Sequence, residues 1–315
     1  MTGVHGSWMV PRRVLLLCVV ATILLLAPLT GAYLLAGVPA AVGMVMGYVA
    51  GARPALTLRP YQAVVLAVPA AMTGAVAVAL RGQPMAAACF VALCCILVAP
   101  ASIRADGLMA GVPSIAAVLV SVPGDFRSDA VAFWMLLGGA VMALLGSWIG
   151  TSGRTGKGIA PERAWRHAVV MAVAVGLTVY AVDVLAWPHG YWVALTLTVV
   201  LRPFGEETLQ RSWQRVLGTI GGVVLAMVLA ALLPLWAAGV ALGLCLVLSL
   251  AYTTLGDYPK QVLFLTPSVV LLGSASPGAL ATERALYTVT GAVLAGGIAL
   301  ALAWYDSRRT KKELV

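Results

Sequence analysis

Ten runs without a single Asp, Glu, Lys or Arg constrain this chain more than any motif does. They cover residues 14–52, 60–80, 82–103, 107–124, 130–153, 167–182, 184–201, 216–256, 261–282 and 285–305. About 20 apolar residues cross the hydrocarbon of a bilayer as a helix, so eight of these runs suit one crossing each. The other two, 14–52 and 216–256, suit two crossings apiece, and each carries a turn signal near its middle: Gly31 and Gly37-Val38-Pro39 in the first, Leu233-Pro234 in the second. The expectation is an all-α polytopic membrane protein with about twelve transmembrane helices. Composition agrees, because 62% hydrophobic and only 10% charged residues in a chain of 315 exceed what a soluble core can hide.

Orientation follows Lys and Arg in short loops, independently of hydropathy. With twelve spans and a cytoplasmic N-terminus, seventeen of the twenty Lys and Arg residues fall on the cytoplasmic side, and only Arg81, Arg127 and Arg284 remain for the outside. Both termini are then cytoplasmic. The net charge of +9 reads as a basic face against anionic lipid and calls for no nucleic acid. Arg12-Arg13 before an apolar stretch has the look of a secretory or twin-arginine signal, but the stretch continues into a second span without a cleavage site, so it reads as the first helix. Cys18, Cys89, Cys94, Cys95 and Cys245 all fall inside expected spans without C-x-x-C spacing, and they read as small apolar fillers. Neither a metal site nor a cofactor is expected.

Three matches in order suggest a duplicated six-helix unit. Arg53-Pro54 corresponds to Arg202-Pro203, Tyr61-Gln62 to Trp213-Gln214, and Pro113-Ser114 to Pro267-Ser268, with offsets of 149, 152 and 154. Thr57-Leu58 and Thr208-Leu209 fall between the first two pairs. Six is even, so the repeats are parallel. The expected organisation is a first repeat over 1–150, a cytoplasmic linker over 151–165, a second repeat over 166–305 and a basic tail over 306–315.

Within this frame Arg202, Glu206, Glu207, Arg211 and Arg215 crowd fourteen residues between two apolar segments. From the Pro188-His189-Gly190 turn to Arg202 only a short helix fits, its first-half partner from Pro39 to Arg53 is little longer, and the fifth and eleventh helices carry the interior prolines Pro113 and Pro267. Short or interrupted spans at matching positions mark a transporter's site, or they are prolines kinking helices for packing. Arg211, Arg215, Thr219 and Gly222 recur at helical spacing, with Gly218 beside them, along one stripe of the ninth helix. Two readings stay open for the arginines: topology with pairing to Glu206 and Glu207, or guanidinium forks for carboxylates. Tyr191 and Trp192 likewise read as interfacial belt residues or as substrate stackers.

Tyr191-Trp192, Thr196, Pro203, Thr208-Leu209, Arg215, Gly218-Thr219 and Gly222 together resemble the signature of the fusaric acid resistance and aromatic acid exporter family, with aluminium-activated malate channels as distant relatives. The resemblance is specific over 165–305 and degenerate over 12–150, where Ala63, Leu66 and Ala67 stand in place of the Arg-x-x-Gly-Thr element. It implies efflux of small organic anions, above all aromatic carboxylates, across a bacterial inner membrane. Substrate binding is then expected at Arg202, Arg211, Arg215, Thr219, Tyr191, Trp192, Pro267 and Ser268. Many members carry a cytoplasmic domain after each six-helix unit, where this chain has a short linker and tail.

Proton coupling needs a group that titrates in the membrane, and the candidates are Asp183 and Asp257. Asp183 also reads as an outer-interface carboxylate and Asp257 as a partner for Lys260, so passive anion conduction and a non-transporting scaffold stay beside the exporter. An enzyme is not expected, since H-E-x-x-H, P-loop, G-x-S-x-G and paired-Asp motifs are missing from the sequence. The partners expected are the lipid bilayer and a small organic anion, with a periplasmic adaptor protein or a homo-oligomer as protein partners.

Overall fold

The computed structural model describes residues 9–105, 107–149, 158–203, 205–273 and 277–313. The first part of the 151–165 linker, residues 151–157, lies outside them. Eleven helices account for the described chain: α1 (Arg12–Thr57), α2 (Pro60–Ala79), α3 (Pro84–Arg104), α4 (Gly111–Ser121), α5 (Ser128–Ile149), α6 (Pro161–Val184), α7 (Tyr191–Val200), α8 (Gly205–Leu232), α9 (Leu235–Leu255), α10 (Tyr258–Gly273) and α11 (Pro277–Glu313). Eight of them are long and apolar enough to cross a membrane. Proline opens α2, α3 and α6, where its missing N–H would find no intrahelical acceptor anyway. Gly256 closes α9 in the left-handed conformation at φ +74°.

The long first run folds back on itself. α1 breaks at Ala36 and Gly37, and Gly37 sits at φ +73°, which a side chain would strain. The Tyr48 hydroxyl donates to the Leu25 carbonyl at 2.8 Å, and Ala32, Ala40 and Met44 share one buried cluster. Both pairings are centred on the break, so the part of the first arm from Leu25 onward and the start of the second arm return alongside each other. With α1 counted as two rods, each expected span has its own helix among the described residues.

Length separates these helices more sharply than hydropathy does. α4 has 11 residues, α7 has 10 and α10 has 16. At 1.5 Å per residue they reach about 15–24 Å, short of a core about 30 Å thick. The first-half partner of α7 is not short, because the second arm of α1 continues through Arg53 and Pro54 to Thr57. Nor does Pro113 interrupt the fifth span. It lies in the first turn of α4, where the missing N–H costs nothing, whereas Pro267 is inside α10. Arg284 also departs from its expected place in an outer loop: it lies two turns inside α11, which begins at Pro277.

Two compact units form. One gathers Leu25–Phe204, the other Met1–Leu24 with Gly205–Val315. They do not follow the halves of the sequence, because α6 and α7 pack on α3 and α4 rather than on helices that follow them. In the Leu25–Phe204 unit α2 also packs on α4 and α5, and α3 on α4. The second arm of α1 meets α5 through a Gly43-xxx-Gly47-xxx-Gly51 stripe; a Cβ at Gly47 would come within 2.3 Å of the Met135 carbonyl oxygen. Small residues of this spacing let helix backbones approach in lipid, where apolar side chains have no other reason to associate. Arg81, in the α2–α3 turn, donates to the carbonyls of Val122 and Gly124 and covers the Phe126 ring at 4.9 Å. In the other unit α8 packs on α10 and α11, α9 packs on α10, and Cys18 of the first α1 arm joins Val247 and Ala251 of α9.

Candidate functional site

α8 opens with Glu206 and Glu207 in its first turn, where carboxylates favour the positive end of the helix dipole. Both are exposed. Neither Arg211 nor Arg215 has a carboxylate partner among the described residues. The acidic pair therefore suits the helix start rather than neutralising the arginines. Arg211 instead lies over the Tyr258 ring at 4.8 Å, a cation–π contact with the start of α10.

One turn further in, Arg215 is only 5% exposed and its Nε makes no hydrogen bond. Thr219, on the same stripe, is buried with its hydroxyl equally unpartnered. A buried charge without compensation costs on the order of several kcal/mol, and in membrane helices such groups face the bundle interior or a water-filled path. Gly218 and Gly222 hold α8 against α10: a Cβ at Gly218 would meet Pro259 and Val262, and one at Gly222 would meet Thr266. Gly222 also covers the Leu263 carbonyl, the one that Pro267 leaves without its intrahelical donor. Ser268, next along, is buried and donates to the Phe264 carbonyl at 3.2 Å.

A cleft of about 410 Å³ opens at the start of this stripe, lined by Glu207, Gln210, Arg211, Gln214, Asp257 and Tyr258. Asp257 accepts the Lys260 backbone N–H at 3.3 Å, as a cap for α10, and pairs with the Lys260 ammonium at 2.9 Å. Both carboxylate oxygens are thereby engaged.

The remaining expected residues belong to the other unit. Tyr191 and Trp192 start α7, their ring centroids 5.1 Å apart and tilted by 35°. α7 is buried along most of its length, as is α4, and the Ser114 and Thr198 hydroxyls hydrogen-bond between the two at 2.7 Å. Arg202 follows α7 and lines a small cavity with Ser102, His167 and Thr198. Asp183, in the last turn of α6, is half-buried and accepts a hydrogen bond from Ser121 at 3.0 Å. Arg202 and Arg215 thus lie in different compact units. Each unit supplies its own polar groups.

Charge read as a loop marker misses Arg284, which is 2% exposed and is the largest fully buried side chain among the described residues. Its signal was available: a span begun at Pro277, with its proline start, encloses it.

Residues 177–298 match the family model described as fusaric acid resistance protein-like. An uncharacterized protein of Haemophilus influenzae is 32% identical over 148 residues, covering 45% of this chain and 20% of that protein. An uncharacterized protein of Synechocystis is 30% identical over 156 residues, covering 46% and 19% respectively. The matched stretch is about a fifth of the length of these curated relatives. No solved structure matches the chain. The matched residues run from the second half of α6 into α11 and include the whole Arg215 stripe, so the likeness to fusaric acid resistance proteins lies in this region of the chain.

Proposed function

We propose that this multi-pass membrane protein exports small organic anions, aromatic carboxylates above all, across a bacterial inner membrane, with Arg215 as the group that holds the carboxylate. The observation that carries the reading is the buried side chain of Arg215 inside a membrane helix, with its Nε lacking a hydrogen-bond partner among the described residues. A planar fork of donors in a low-dielectric site matches a carboxylate in geometry and charge. Arg211 and the cleft beside it form the entrance, and Thr219 adds a free hydroxyl on the inward side. A fluorescent aromatic acid should accumulate less in cells making the protein than in cells lacking it, and equal retention would reject export.

The architecture proposed is two parallel six-helix repeats. Two features support it: α2 packs on α4 and α5 as α8 packs on α10 and α11, and α3 packs on α4 and α6 as α9 packs on α10 and the first arm of α1. A second cleft is lined by Thr57, Tyr61, Gln62, Arg104 and Leu108 among others, and the Arg211 cleft includes Gln214, the counterpart of Gln62 in the proposed repeat. Reporters fused after residues 157 and 312 should both read cytoplasmic, and one in the 123–129 loop should read external. Opposite orientations of the two halves would break the parallel repeat.

Asp183 is the proposed proton-coupling group, since Asp257 is held by Lys260 while one oxygen of Asp183 has no hydrogen-bond partner. Asp183→Asn should abolish efflux driven by a pH gradient and leave substrate exchange intact. Unchanged pH-driven efflux in that variant would favour a conductive pathway.

A further inference from the structure

We propose that Arg284 is a second anion-binding station, reached from Arg215 through a buried polar column formed by α8, α10 and α11. The inference rests on the reading of Arg215 given above. Arginines near helix ends commonly turn their charged heads toward the interface, yet Arg284, two turns inside α11, is 2% exposed. Its burial withdraws it from the role of a topology marker at the surface.

Packing fixes where Arg284 lies. The Cβ position of Gly296 is 3.7 Å from Leu209, and that of Gly278 is 3.6 Å from Met227, so α11 runs antiparallel to α8. On that register Arg284 is level with Gly221, about six residues beyond Arg215, or roughly 9 Å along the axis. The hydroxyl-bearing residues Thr219, Thr266 and Thr288, one from each of the three helices, are all buried at intervening or neighbouring levels. Beyond Arg284 the packing turns dry: Ala226, Val270 and Ala281 form one buried cluster.

A single tight carboxylate site holds its ion and releases it slowly. Two stations split the affinity and let the ion step between them, as multi-site pathways do. Arg215 lies toward the Arg211 cleft and Arg284 toward the start of α11, so the two should govern entry from opposite faces.

Benzoate transport by the full chain in inside-out and right-side-out membrane vesicles separates the stations. Arg284→Gln should raise KM for benzoate by about tenfold at the face near Pro277, the scale of one lost charge-assisted bond, and change KM at the other face little. Arg284→Lys should shift KM in the same direction by a smaller factor, and it decides alone if Arg284→Gln fails to reach the membrane folded. Native KM at both faces in the folded Arg284 variants, with Arg215→Lys impaired, would overturn the second station and leave Arg215 standing. Native transport by Arg215→Lys as well would overturn both.

Discussion

Arg215→Lys should weaken the apparent affinity for benzoate by about tenfold, since a charge-assisted hydrogen bond is worth roughly 1.5–3 kcal/mol and 1.4 kcal/mol is one decade. Lysine keeps the charge and satisfies the positive-inside bias as well as arginine does, so expression and orientation should be unchanged. What it loses is the planar two-donor fork. Arg308→Lys, outside the matched residues 177–298, is the control and should transport like the parent. Equal, near-native transport by both variants would return the arginine cluster to a topological role. The burial of Arg215 and the exposure of Glu206 and Glu207 argue for the larger effect, because an arginine kept only for topology gains nothing from leaving water.

Gly47→Leu should remove most of the folded protein from the membrane. A Cβ at this position would stand 2.3 Å from the Met135 oxygen and 3.0 Å from the Gly138 Cα, both backbone atoms that cannot rotate away. The second arm of α1 would have to part from α5 along the whole Gly43, Gly47 and Gly51 stripe. Gly31→Leu is the matched control, because nothing lies within 4 Å of the Cβ it would add. The test is the yield of monodisperse protein after detergent extraction. Similar yields for the two variants would contradict the close packing of this helix pair.

These two sites differ in how far the sequence announces them. Apolar runs announce a helix for each expected span among the described residues, though not where each helix ends, and Gly37-Val38-Pro39 places the fold-back of α1, because a bilayer demands long uncharged helices and a break demands a residue tolerant of positive φ. The Arg211, Arg215 and Thr219 stripe is legible for a similar reason: helical spacing alone puts those residues on one face. The Gly43, Gly47 and Gly51 stripe has the same spacing and passes unnoticed when polar residues are sought.

Other features depend on tertiary packing. Counting each charge as the end of a span pushes Arg284 into a loop and cuts the second arm of α1 at Arg53, although helices continue through both. A proline pair repeated in the sequence suggests two equal breaks, but Pro113 lies in a first turn and Pro267 in a helix interior, and only packing reveals the difference. The compact units cut across the sequence halves because α6 and α7 associate with α3 and α4, a choice among equally apolar faces that hydropathy does not encode.

Efflux of labelled benzoate from liposomes holding the purified full chain, under an imposed pH gradient and separately under an imposed voltage, tests the central claim most directly. Saturable efflux above protein-free liposomes, driven by the pH gradient and reduced in Arg215→Lys, is the result the account predicts. Efflux equal to that of protein-free liposomes under both gradients would contradict it.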